Sequence, residues 1–403
     1  MTQKRYLDNV VWELTLRCNA HCVHCGSSAG KDRKDNLTIA EIFRVCDELS
    51  KEGCKQITLI GGEMFLHPMW REIVKKINSK NILQTIVTNG IALDRERIHF
   101  LAENGVVTVG ISLDGATPKV HDSIRRVPGL FDKIFRLSDS FIEADLPAVA
   151  ITTITKCNIL ELKKFRNLLP KTFFTAWQIQ IGSPYGRMKQ DISLNEMEYY
   201  VLGIFLACTQ RRVPEEKLKV FGMHDLGYYS KVIPSSVNIY SDDWQGCPAG
   251  KYVMGIRSNG KVTGCLSIYN DDFIEGDLRE KSISQVWHDK KFCHWNKGKN
   301  RSNNLLEPCK SCPHKLTCCG GCSGTIVAYD GKITRAPLCY YATEQKYMNY
   351  TGNDEYSQIM RQLVNGHISL DGRFYLENGS VISNDFINRI SKKEYRNLLK
   401  MLI

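Results

Sequence analysis

The 403-residue sequence predicts an α/β protein: six βα units in a row, a partial (β/α)6 barrel, followed by a cysteine-rich region of different character. Three observations carry this expectation. From about residue 10 to 182, short runs rich in Val, Ile and Thr alternate with amphipathic stretches. The unusual polar residues and glycines fall directly after those runs, at the carboxyl ends of the strands, where parallel α/β sheets place their chemistry. From residue 247 the chain turns rich in Cys and Gly, with hairpin signals in place of βα alternation.

The predicted strands are residues 10–16 (VVWELTL), 56–60 (QITLI), 82–88 (ILQTIVT), 106–113 (VVTVGISL), 148–154 (AVAITTI) and 176–182 (AWQIQIG). Such runs suit strands buried on both faces, and the intervening helices impose right-handed crossovers. A capping box, Thr38 with Glu41, opens the first helix. Further helices are expected at about 69–79, 94–104, 130–143 and 159–169, and Ser193 with Glu196 should open another, to about 208. A less regular stretch then runs from 209 to 243. Asn259-Gly260 and Asp330-Gly331 signal hairpins, and Asp371-Gly372 and Asn378-Gly379 signal turns ahead of a last helix capped by Ser391 and Glu394. The expected division is 1–190 for the βα core, 191–243 for a helical linker, 244–345 for the cysteine-rich domain and 346–403 for a tail.

Composition narrows the function. No stretch approaches about 18 uninterrupted apolar residues, and residues 199–208 (YYVLGIFLAC) are too short to span a membrane. The start lacks the apolar core of a signal peptide, so the cytoplasm is the expected compartment. There, 16 cysteines point to metal binding and not to a disulfide framework. The formal net charge of +11 is spread out, apart from a basic loop at 288–304, and no helix-turn-helix or zinc-finger spacing accompanies it. Neither a nucleic acid nor a membrane is expected as a partner.

The loop after the first strand, RCNAHCVHC, spaces Cys18, Cys22 and Cys25 as C-x3-C-x2-C, with no fourth cysteine nearby. A structural zinc site wants four closed ligands; three thiolates on an iron–sulfur cube leave one iron open. Gly61, Gly62 and Glu63 follow the second strand, Asn89 the third, Ser112 and Asp114 end the fourth, and a GSPYGR loop follows the sixth. Taken singly each has a plainer reading: half of a split zinc site, a helix-entry loop, a turn. Their convergence on one end of one sheet argues for a single site. Gln178 and Gln180, two apart on the sixth strand, share a face that suits the lumen.

This set resembles the radical S-adenosylmethionine (SAM) enzymes over about residues 10–187. The resemblance implies a [4Fe-4S] cluster on Cys18, Cys22 and Cys25, whose open iron chelates the methionine moiety of SAM. It implies that Gly61, Gly62 and Glu63 meet the methionine amino group, that Ser112 lies near the ribose and carboxylate, and that Arg125 pairs with the carboxylate. His24 stands where the family usually has an aromatic residue near the adenine, and Asn89 is a further SAM contact.

The second group reads C-x12-G-x4-C at Cys247, Gly260 and Cys265, then Cys309, Cys312, Cys318, Cys322 and Cys339. A zinc ribbon would need only four of these. The spacings resemble the auxiliary-cluster extension called SPASM. By family wiring, Cys309, Cys312, Cys318 and Cys339 hold one four-iron cluster, and Cys247, Cys265 and Cys322 the other. The extra cysteine that often precedes the first of these is missing from YSDDWQGC. That leaves an open iron, a smaller cluster, or ligation by Asp242, Asp243 or a substrate group; Cys319 is a spare ligand. Cys46, Cys54, Cys157, Cys208 and Cys293 read as buried packing residues.

The resemblance implies three Fe–S clusters, SAM, a reductant such as flavodoxin or ferredoxin, and a 5′-deoxyadenosyl radical that abstracts hydrogen from an unactivated carbon. The expected function is a maturase of a ribosomally made peptide that installs a carbon–carbon or thioether crosslink on a precursor peptide, with Gln178, Gln180 and Asp114 as candidate catalytic residues. The sulfatase-maturing branch carries an acid directly after the second auxiliary cysteine, where this chain has Leu266. A radical dehydrogenase of a small molecule and a redox scaffold without turnover are the other readings. No winged-helix leader-binding domain fits before the first strand, so the leader is expected to meet the tail, an unclassified surface or a separate protein.

Overall fold

Val10 and Trp12 are fully buried on one face of the first strand, β1 (Asn9–Glu13), and that alternation sets the register of everything around it. In the computed structural model, which describes residues 6–223, 225–237 and 246–403, five further parallel strands follow in chain order. They are β2 (Gln56–Ile60), β3 (Leu83–Thr88), β4 (Val106–Ser112), β5 (Ala148–Ile154) and β6 (Phe174–Ile181). Each pairs with its predecessor, as βα units require, and the helices between them bury one apolar face against the sheet. The helix Ile39–Lys51 starts at Thr38 with the expected capping box and buries Ile42, Val45 and Leu49.

The sheet does not stop at six strands. The helix Glu196–Arg212 runs past residue 208, and β7 (Lys219–Gly222) then pairs in parallel with β6. On the opposite edge β8 (Val253–Ile256) pairs in parallel with β1, and β9 (Lys261–Thr263) and β10 (Ile274–Asp277) extend it antiparallel. One ten-stranded sheet therefore runs through both regions. Asn259-Gly260 turns the β8–β9 hairpin as expected, and the buried Glu13 carboxylate accepts the Ser258 amide at 3.2 Å and pairs with Arg33 at 3.0 Å.

Several local expectations are corrected. The helix Glu196–Arg212 is capped by Asn195 and Glu198, not Ser193 and Glu196: Asn195 Oδ1 accepts the Glu198 amide at 2.9 Å and Glu198 returns the bond at 2.8 Å. Asp330-Gly331 ends the helix Ser323–Asp330, with Gly331 as a left-handed cap, and makes no hairpin. Glu355 captures the Ser391 hydroxyl at 2.7 Å, so the last helix, Lys393–Leu399, starts from Lys392. A helix at Pro118–Arg125 was not anticipated, and residues 130–143 form two short helices. The turn at Gly372 joins a two-stranded hairpin, β11 (His367–Ile368) with β12 (Phe374–Tyr375), and the turn at Gly379 follows it. Among the described residues no helix is long and apolar enough to cross a membrane.

Candidate active site

The cysteine loop leaves the end of β1 and is closed at its base: the Gly30 amide donates to Leu16 O at 2.9 Å and the Cys18 amide to Gly30 O at 3.2 Å. Arg187, from the loop after β6, clamps it from across the sheet, donating to Cys22 O at 3.1 Å and Ala29 O at 2.7 Å. The Arg187 amide also reaches Cys25 O at 3.0 Å. Gly186 has φ +59°, and a Cβ there would lie 2.4 Å from Gly26 O, so the approach requires glycine.

Donors surround the three sulfurs. The Ala20 amide lies 3.5 Å from Cys18 Sγ, Asn89 Nδ2 3.7 Å from the same sulfur, Arg125 Nη1 3.6 Å from Cys22 Sγ, and Ser27 Oγ 3.5 Å from Cys25 Sγ. Burial pushes the Cys18 and Cys22 thiols up, with Arg125 opposing it at Cys22. N–H groups and a fixed cation aimed at sulfur fit metal-bound thiolates, because a bound metal removes the thiol proton outright and the donors then stabilise the charge.

The GGE segment packs against the stem of that loop. Its Gly62 amide donates to Thr15 O at 2.7 Å and its Glu63 amide to Arg17 O at 2.8 Å; a Cβ on Gly62 would sit 2.4 Å from Arg17 O. The Glu63 carboxylate is buried and turned away from the cavity. It accepts the Thr88 hydroxyl at 2.9 Å and the Asn89 amide at 2.9 Å, tying the loops after β2 and β3 together. Burial raises Glu63 to about 7, against the opposing pull of the Asn89 amide and the Thr88 hydroxyl.

Asp114 is fully buried behind the cavity wall, paired with Arg125 Nη2 at 2.5 Å and His24 Nε2 at 3.2 Å. Burial pushes its carboxyl up, but Arg125 and then His24 more than offset this and hold it well below the usual range. His121 accepts the Asp114 amide at 3.0 Å, and burial together with Arg125 lowers it to about 4, so it is neutral near pH 7.

These loops enclose a cavity of about 330 Å³. Cys18, Cys22, Cys25 and His24 line it, as do Gly61, Gly62, Asn89, Ser112, Arg125 and Gln180. Gln178 stands one step behind, 3.3 Å from Gln180. Ser267, Tyr269, Cys322 and Thr325 of the second region form the facing wall, with Tyr185 and Asp225 between. The sequence marks the loop holding Tyr185 and Arg187 but not these side chains; Asp225 and Tyr269 carry no local signal, since only the tertiary fold brings them here. The Tyr185 and Tyr269 rings meet edge to face, with centroids 5.7 Å apart.

No disulfide joins any of the 16 cysteines among the described residues. Cys265 lies within electrostatic reach of Cys247 and Cys322, and Cys318 of Cys309, Cys312 and Cys339. Backbone amides again face sulfur: Ser267 N lies 3.4 Å from Cys265 Sγ and Ala336 N 3.4 Å from Cys309 Sγ. Burial pushes Cys265 up to about 12, so this thiol loses its proton near neutrality only to a metal. Cys319 sits at φ +51° with Sγ 3.3 Å from Leu316 O. Asp242 and Asp243 lie outside the described residues. Cys46, Cys54, Cys208 and Cys293 are buried, but Cys157 is exposed and is not a packing residue.

A model of the radical SAM superfamily matches residues 12–169, and a model of the SPASM iron–sulfur cluster-binding domain matches residues 247–313. The chain is a radical SAM enzyme with a SPASM domain. Its radical SAM domain binds a [4Fe-4S] cluster and SAM, and its SPASM domain binds iron–sulfur. It is 29% identical to mycofactocin maturase MftC of Mycobacterium tuberculosis, over 78% of this chain and 77% of that one. It is 26% identical to the AdoMet-dependent heme synthase of Methanosarcina barkeri, over 84% and 97%. Streptococcus suis SuiB bound to precursor peptide SuiA shares the fold, with TM-score 0.66 and 18% identity over 83% of this chain and 76% of that one. Native anSMEcpe with bound AdoMet does so at 0.64 and 17%, over 84% and 95%.

Proposed function

We propose that this radical SAM/SPASM enzyme is a maturase of a ribosomally made precursor peptide, forming a carbon–carbon or thioether crosslink. The observation that carries the reading is the shared cavity: the first cysteine loop and Cys322 of the SPASM domain open onto the same space, so a substrate held there touches both regions. In this reading Cys18, Cys22 and Cys25 hold the SAM-binding cluster. His24, Gly61, Gly62, Asn89, Ser112 and Arg125 contact SAM, and Glu63 acts through Thr88 and Asn89. Cys247, Cys265 and Cys322 hold one auxiliary cluster, and Cys309, Cys312, Cys318 and Cys339 the other. The cluster and SAM, when bound there, would supply the radical chemistry that removes a hydrogen atom from the substrate.

The protein's own part is to orient and to exclude water. Arg125, fixed by Asp114, presents a guanidinium that suits a carboxylate. Gln180, held by Thr153 at 3.0 Å, offers the cavity an amide for a peptide backbone. Likeness to a mycofactocin maturase, and a fold shared with a peptide-bound SuiB, favour a peptide. Leu266, where the sulfatase-maturing branch has an acid, disfavours formylglycine formation. In the same reading the leader is met by residues 346–403, by another surface of the chain or by a separate protein, and a flavodoxin or ferredoxin supplies electrons in the cytoplasm.

A second reading, a radical oxidation of an iron porphyrin side chain, is favoured by the match along 97% of a heme synthase. Anaerobically reconstituted enzyme with dithionite, SAM and either a co-encoded peptide or an iron porphyrin separates the two. A peptide product lighter by two hydrogens is expected. Turnover of the porphyrin with an untouched peptide overturns the first reading.

A further inference from the structure

Arg301 is 1% exposed, in the SPASM domain, and among the described residues no carboxylate pairs with it. Its guanidinium is fully engaged by neutral acceptors. Nε donates to Cys319 O at 2.5 Å, Nη2 to Gly321 O at 2.6 Å, and Nη1 to Asn296 Oδ1 at 2.7 Å and to the Ser323 hydroxyl. Asn296 in turn donates to Cys247 O at 2.9 Å and Ala249 O at 2.6 Å. One buried fork thus holds the turn that carries Cys318 and Cys322, and through Asn296 the loop that carries Cys247.

Hydrogen bonds to carbonyls satisfy the guanidinium N–H groups but leave its charge uncompensated, and an isolated buried charge is costly. The anions such a site calls for must come from its surroundings. Cys309 and Cys318 both lie within electrostatic reach of Arg301. Four thiolates on a [4Fe-4S] core carry net negative charge, which grows on reduction. A buried cation beside them favours the reduced state and raises the potential.

We propose that Arg301 is the buried counter-charge of the auxiliary clusters: it positions the Cys318–Cys322 turn and raises the reduction potential of the cluster on Cys309, Cys312, Cys318 and Cys339. The inference rests on the proposed ligand assignment. Arg335 supplies an internal contrast: it acts on Cys309 more strongly than Arg301 does, but it is exposed, where water and salt screen its charge, whereas Arg301 is buried and reaches Cys318 as well.

The test uses full-length C18A/C22A/C25A protein, so that only auxiliary clusters load. Iron is counted and midpoint potentials are read by redox titration followed by electron paramagnetic resonance. R301Q should keep auxiliary iron and shift the midpoint to more negative potential, R301K should stay near the parent, and R335Q should shift less than R301Q. An R301Q protein with full iron and an unchanged midpoint overturns the proposal. Should R301Q fail to load, R301K decides: retained iron at a near-parental potential supports the counter-charge, whereas iron loss in both, with an unchanged circular dichroism spectrum, leaves geometry alone as the role and overturns it. C309A/C312A in the same background tests the ligand assignment separately. If it loses no auxiliary iron, that assignment fails, whatever R301Q shows.

Discussion

In the βα region three cysteines share one short loop, and the cation that reaches their sulfur, Arg125, is matched by the buried carboxylate of Asp114. In the SPASM region seven of the nine cysteines between residues 247 and 339 are the proposed ligands, and the buried cation among them, Arg301, has only neutral hydrogen-bond partners among the described residues. The two regions therefore balance charge differently. In the first, the buried Arg125–Asp114 pair is neutral before any cofactor arrives, which suits a ligand carrying both a sulfonium and a carboxylate. In the second, the buried Arg301 meets no carboxylate among the described residues, which suits permanently anionic clusters. The one is built as an exchange site and the other as a resident one.

The largest effect that would sharpen this contrast is removal of the exchange site. C18A/C22A/C25A should abolish release of 5′-deoxyadenosine while auxiliary iron is retained; turnover in that protein would break the division of labour. Next comes D114N, which strands Arg125 in the interior without its carboxylate. A loss of about 3–5 kcal/mol is expected, read by thermal or denaturant unfolding. Because Asp114 is held below its ordinary range, its stabilisation is present above the unfolded carboxylate range and is lost as pH falls through the folded value. The gap between wild type and D114N should hold from neutrality down to about pH 4 and close only below it.

A smaller change is expected from E63Q, which weakens the tie to Thr88 and Asn89. Affinity for SAM should fall about tenfold by calorimetry, or ~1.4 kcal/mol. Glu63 shifts the other way from Asp114. Its folded value, about 7, lies above the ordinary 4.5, so it favours the fold at low pH and that contribution is lost as pH rises through about 7. Wild-type stability should decline across that interval, and E63Q should flatten the decline. The smallest effect belongs to Arg279, which joins the regions by donating to Asp35 O at 3.0 Å and Asn36 O at 2.8 Å and by pairing with Glu41 at 2.9 Å. R279A should cost about 1 kcal/mol and speed hydrogen exchange at the Asn259-Gly260 turn, with SAM cleavage unchanged.

Legibility followed the range of the interaction. β2 and β5 have the bounds their sequences predict, because period and flanking turns lie within a few residues. The Thr38 cap was readable for the same reason, whereas Ser193 with Glu196 lost to the overlapping pair Asn195 and Glu198, which local pattern alone cannot rank. Glu63 and Asp114 read as cavity groups because they follow strands. Their carboxylates turn inward because Thr88, Asn89, Arg125 and His24, distant in the chain, complete their hydrogen bonds and ion pairs.

What the chain order determined unaided was the parallel core, the placement of its loops at one end of the strands, and two cysteine sets whose spacings point to iron and sulfur. Only the tertiary structure decided that β8 extends the sheet beside β1, that Cys322 and Tyr269 face the first cysteine loop, and that Arg301 is buried with no carboxylate beside it among the described residues. Periodicity and spacing are properties of neighbouring residues, which a sequence displays directly. Which distant surfaces meet, and which charges are left to balance one another, depends on how the whole apolar core packs.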